Sequence, residues 1–160
     1  MKVILILWLI IFSLAAEGQD SLQQARLKSL QGKIQPFSAF AKKDSLFLIC
    51  FWSATSDESI TELNSINANL EQWQKMKSFR FMAISVDEGK TANRMRPTYN
   101  MNGWTFEVYA DIYGDLRRAL NSNNFPQSMI VYKNEIIYEQ SGWTAGTENY
   151  LIQRLLSMKN

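Results

Sequence analysis

Hydroxyls and carboxylates crowd the stretch Ser53-Ala54-Thr55-Ser56-Asp57-Glu58-Ser59. A serine becomes a nucleophile only when a neighbouring base takes its proton. The chain has no histidine among its 160 residues, which excludes Ser-His-Asp and Cys-His catalysis and histidine-ligated metal sites. Paired carboxylates such as Asp57 and Glu58 can divide acid–base work, but adjacent positions on a helix point in different directions. The single cysteine, Cys50, rules out an intrachain disulfide and a C-x-x-C pair. It lies inside an apolar run, where burial raises a thiol's pKa and leaves it inert, so a core role is expected. Asp87-Glu88 offers two acids without a third ligand, and neither a metal nor a cofactor is expected. Basic residues approach one another only as Lys42-Lys43, Arg94 with Arg96, and Arg117-Arg118, each read as a solvated face. With 17 basic against 15 acidic residues and a net charge of +2, nothing suggests nucleic acid as a partner.

These residues must be positioned by an alternating set of elements. Leu46-Phe47-Leu48-Ile49-Cys50-Phe51-Trp52 is continuously apolar, as befits a strand covered on both faces. Ile60, Leu63, Ile66, Leu70, Trp73 and Met76 then recur at three and four, the stripe of a long amphipathic helix. Thr55 and Glu58 predict a capping box at its start, with Asp57 and Glu58 facing the positive end of the helix dipole. Strands are predicted over 80–86, 105–110 and 127–133, with short helices over 89–96, stopped by Pro97, and around 114–121. Lys133-Asn134-Glu135 predicts a tight turn into a hairpin strand over 135–140. Residues 147–158 predict a closing helix with Leu151, Leu155 and Leu156 inward. Residues 20–31 predict a short leading helix behind an Asp20 cap, with Leu22, Ala25, Leu27 and Leu30 on one side. The whole pattern is α/β, a mixed sheet flanked by helices.

The first residues have a different character. Met1-Lys2 precedes an apolar run from Val3 to Ala16, followed by Glu17-Gly18-Gln19. A charged start, a short apolar stretch and a small-residue exit are the layout of a secretory signal peptide, expected over 1–18 with cleavage before Gln19. The run is shorter than the roughly 20 residues that a membrane-spanning helix needs, so no stable span is expected after cleavage. One domain is expected over 19–160, exported to the periplasm or the extracellular space. Having no disulfide, it must rely on its core alone.

The segment Phe51-Trp52-Ser53-Ala54-Thr55-Ser56-Asp57-Glu58-Ser59-Ile60-Thr61-Glu62-Leu63 resembles, without a gap, the F-W-A-T-W-C-x-x-C-x-x-E-L segment of the TlpA-like, redoxin-type thiol–disulfide oxidoreductases of the thioredoxin superfamily. Ala83-Ile84-Ser85-Val86-Asp87 resembles that family's V-S-V-D strand end. Asn124-Phe125-Pro126-Gln127-Ser128 resembles its G-V-P-T-T, and Ser141-Gly142-Trp143-Thr144 its G-x-T exit. The resemblance covers about residues 35–158 and implies a thioredoxin-like fold with a cis bond before Pro126. Ser56 and Ser59 stand where the family carries its redox cysteines, so the resemblance makes them vestigial redox positions.

A serine hydroxyl is far less acidic than a thiol and forms no disulfide, so thiol–disulfide exchange at this motif is closed. The expectation is therefore a non-catalytic binding or accessory module. By resemblance, it would take an extended polypeptide or envelope protein at a groove lined by Trp52, Phe125, Pro126 and Trp143. Two alternatives remain open: a redox-pathway component acting through a partner's thiols, and a purely structural subunit.

Overall fold

A computed structural model describes residues 21–41 and 45–158. The signal-peptide expectation, the Asp20 cap and the Lys42-Lys43 pair lie outside the described residues. An interior strand of the sheet is β3 (Leu46–Trp52). Successive side chains of a strand point to opposite faces, and here both faces are buried. Leu48, Cys50 and Trp52 enter one core with Leu63, Ile66, Leu70, Trp73, Leu151 and Leu155. Phe47, Ile49 and Phe51 enter the other with Leu22, Leu27, Phe37, Phe40, Met82 and Leu116. An apolar run without alternation is what such a two-sided position demands.

The other elements are β1 (Arg26–Ser29), β2 (Ile34–Pro36), α1 (Asp57–Met76), β4 (Arg80–Ser85), α2 (Met95–Met101), β5 (Glu107–Ala110), α3 (Asp115–Ala119), β6 (Gln127–Tyr132), β7 (Glu135–Ser141) and α4 (Thr147–Ser157). The seven strands form one sheet in the order β2-β1-β5-β4-β3-β6-β7. β3, β4 and β5 run parallel, whereas β6, β7, β1 and β2 join antiparallel. The fold is α/β, a mixed sheet flanked by helices. Lys133 and Asn134, with φ of 52° and 66°, make the two-residue turn between β6 and β7. Paired left-handed residues suit the twist of a hairpin.

Four expectations change. The leading helix survives only as the turn Ser21–Gln24; Arg26–Ser29 is a strand instead. Leu22, Ala25 and Leu27 are buried as expected, but β1 forms a hairpin with β2 and pairs with β5. Tertiary pairing there outweighs a weak local periodicity. Pro97 does not stop a helix: it sits in the first turn of α2, where backbone N–H groups have no intrahelical partner to lose. The strand over 105–110 begins only at Glu107, because the Thr105 amide donates to the Asn67 side chain. In α4 the inward residues are Leu151, Ile152 and Leu155, while Leu156 is 43% exposed.

Candidate functional site

The stretch of hydroxyls forms the loop from β3 into α1. Ser56 is the N-cap of α1, and its Oγ accepts from the Ser59 amide at 3.1 Å. The expected Thr55 capping box is not formed. Thr55 Oγ1 meets Ser53 Oγ at 2.8 Å. Glu58 turns away from Thr55 and accepts from the Trp143 amide at 2.5 Å. A serine one residue further on can cap equally well, and the free Trp143 amide attracts the Glu58 carboxylate.

The loop is pinned from β4. Asp87, 5% exposed, accepts from Ser53 Oγ and the Ala54 amide, each at 2.8 Å, and from Ser85 Oγ at 2.9 Å. A buried carboxylate has to be compensated in this way. Asp87 therefore anchors the loop, a role its sequence neighbourhood does not reveal. On the opposite side the Phe125–Pro126 bond is cis. The Pro126 carbonyl accepts from the Gly142 amide at 2.8 Å, and Gly142 adopts φ +73°. A methyl group at Gly142 would stand 3.4 Å from Glu58 Oε1. The start of α1, the Pro126 turn and the exit of β7 are thereby tied together.

Beneath the loop lies a buried polar group. Glu62 is 1% exposed and accepts from Ser128 Oγ at 2.8 Å and from Cys50 Sγ at 3.6 Å. Burial pushes its carboxyl from the ordinary 4.5 up to about 7, against the pull of those two hydrogen bonds. The same burial, reinforced by the Glu62 charge, drives the Cys50 thiol well above its ordinary range. Cys50 is a core residue. Glu62 shares the inner face of α1 with Ser59, Leu63, Ile66, Leu70 and Trp73, and its place in the sequence, four residues before Ile66 on the apolar stripe, is the signal for it.

The site residues do not converge on one groove. Trp52 is wholly buried and meets Trp104 edge-on at 5.1 Å, so it supports the site from below and offers it no surface. Phe125 is half-buried and packs near Phe51. Its amide and carbonyl carry no hydrogen bond among the described residues. The cavity beside it is lined by Arg117, Arg118, Asn121, Ser122 and Asn123 rather than by tryptophans. Trp143 is half-buried at the β7 exit. Among the described residues no three His, Cys, Asp or Glu side chains gather as a metal site requires, and no helix is long and apolar enough to cross a membrane.

A central sheet with a helix starting beside a cis-proline turn defines a thioredoxin-fold protein. No protein-family model matches the sequence, and no curated protein matches it. Among solved structures, it is similar to an uncharacterized thioredoxin-like protein from Porphyromonas gingivalis. The identity is 32%, covering 84% of this chain and 89% of that one, with a TM-score of 0.71. The chain belongs to the thioredoxin-like family. Two further structures share the fold at lower identity. StoA from Bacillus subtilis is 17% identical over 80% of this chain and 92% of its own, with a TM-score of 0.65. A secreted disulfide oxidoreductase from Mycobacterium tuberculosis is 14% identical over 87% and 99%, with a TM-score of 0.69.

Proposed function

We propose that this protein is an exported TlpA-like member of the family that has lost its redox pair and works as a non-catalytic binding or accessory module. One observation carries the reading: the start of α1 presents hydroxyls and the carboxylates of Asp57 and Glu58 but no thiol, and the hydroxyl of Ser56 is committed to capping the helix. The remaining thiol is buried beneath it on Glu62. Neither the attack nor the resolving half of a disulfide cycle has a group to perform it. Export is supported by the N-terminal apolar run and is in keeping with the secreted Mycobacterium tuberculosis protein of the same fold. The unpaired Phe125 backbone supports recognition of an extended polypeptide by strand addition.

The test is insulin reduction by the purified protein beside its Cys50→Ser variant. Turnover at the buffer rate is expected from both. Turnover that disappears in Cys50→Ser would mean that the buried thiol reaches substrate, and the non-catalytic reading would fall.

A further inference from the structure

At the end of β3 away from the serine loop, cations gather around an apolar cavity. Lys77 leaves the C-terminus of α1, and its Nζ donates to the Met158 carbonyl at 2.8 Å, just beyond the end of α4. Arg80 opens β4 and lays its guanidinium over the Phe40 ring, 4.7 Å from the centroid. Lys133, in the β6–β7 turn, places its Nζ 5.1 Å from the centroid of the Tyr132 ring. Met158, Phe40 and Tyr132 all line one cavity of about 520 Å³, as do Lys77 and Arg80 themselves. Each charged head is therefore placed at a residue of the cavity wall.

The rest of the lining is aromatic, aliphatic or hydroxyl-bearing, and Phe40, Phe47 and Phe79 within it are buried. Among the described residues no Asp or Glu belongs to the wall. The acid that holds Arg80 is Glu107, whose Oε2 takes Nε at 2.9 Å and Nη2 at 2.7 Å from outside the lining. A cationic rim on aromatic walls, with no acid among them, is complementary to an anion that carries an apolar body.

We propose that this cavity binds a small organic carboxylate, an aryl or short alkyl acid, with its carboxylate at the cationic rim and its apolar body against the aromatic walls. The size is suitable, since cavities of about 300–1,000 Å³ hold small ligands. An acid without an apolar body gains only the attraction of the rim, and an uncharged amide gains only the burial of its ring or chain. The cavity is separate from the start of α1 and from Phe125, so the inference stands whether or not a polypeptide binds there.

The experiment titrates the protein with 3-phenylpropionate and with octanoate, each beside its neutral amide, and with acetate as the charge-only control, followed by backbone-amide NMR. At least one of the two acids should saturate, with shifts concentrated at Ser45, Ser78 and Arg80 rather than at Ser56 and Phe125, and the tighter of the two tells aryl from alkyl. It should bind about 3- to 5-fold more tightly than its amide, a gap that narrows with salt. The gap should close in K77Q/K133N, where asparagine suits the left-handed φ of 52° at position 133. E107Q, which releases Arg80, should widen it. In the wild type alone, an amide that binds as tightly as its acid, acetate that matches the longer acids, no saturation by either acid, or shifts centred on the start of α1 would each overturn the inference. An unchanged gap in K77Q/K133N, or one narrowed by E107Q, would do the same.

Discussion

Replacing Glu62 by Gln should abolish a pH dependence of stability that the buried carboxylate imposes. The folded carboxyl keeps its proton up to about pH 7, whereas its ordinary value is 4.5. Between those values the folded state binds more protons than the unfolded one, so stability falls as pH rises through this window. It is highest, as far as this group is concerned, below pH 4.5, and the full loss is reached above pH 7. At roughly 1.4 kcal/mol per pKa unit, the loss from pH 5 to pH 8 is about 2–3 kcal/mol. Glu62 is almost completely buried, so solvent screening does not erode that figure. In Glu62→Gln the amide oxygen still accepts from Ser128 Oγ, and the amide nitrogen faces Cys50 Sγ, a weak acceptor. The variant should lose most of the slope and overtake the wild type at pH 8. Urea unfolding of both proteins from pH 5 to pH 9 measures this directly. Parallel curves, with the wild type losing as much as the variant, would refute the buried-proton argument.

Ser56→Ala should cost about 1 kcal/mol by removing the N-cap, while Thr55→Ala should stay within about 0.5 kcal/mol; equal losses in urea melts would return the cap to Thr55. Asp87→Ala strips the acceptor from Ser53, Ala54 and Ser85 together and should cost about 2–4 kcal/mol, so a loss below half of that would deny its anchoring role. Leu155→Ala should cost about 2–5 kcal/mol, whereas Leu156→Ala on the exposed face of α4 should be nearly neutral, and a reversed order would mean the helix is rotated. The double change Ser56→Cys and Ser59→Cys places thiols at i and i+3 of one opening turn and should yield a dithiol that oxidises reversibly, followed by thiol counting against glutathione. A folded variant that fails to close under oxidising conditions would break the alignment with the family's cysteine positions.

The sequence reveals those elements whose pattern is set by their own surroundings. β3 was legible because a strand between two cores must be apolar at every position. α1 and the β6–β7 hairpin were legible from a helical stripe and a two-residue turn. The β1–β2 hairpin was not, since Arg26–Ser29 is a strand through its pairing with both β2 and β5. At the site, the serines at the start of α1 could be read directly. The cap could not, because Thr55 and Ser56 are equally competent and the Trp143 amide, distant in the chain, settles where Glu58 goes. Nor could Asp87, whose three donors come from β4 and from the loop that follows β3. Leu156 was misjudged by a small error of helical phase.

The position of β6 has a consequence for how the chain reaches this state. Cys50 on β3 is paired with Ser128 on its antiparallel side and with Ala83 on its parallel side. The parallel side closes early, once β4 is made, but the other waits for nearly the whole chain. Pairings of such separation are slow to form. Until they do, the most apolar strand of the protein keeps an open edge, a template for another copy of itself. A chain cut before Gln127 would keep that edge permanently. The C-terminal hairpin thus acts as a closure over that edge.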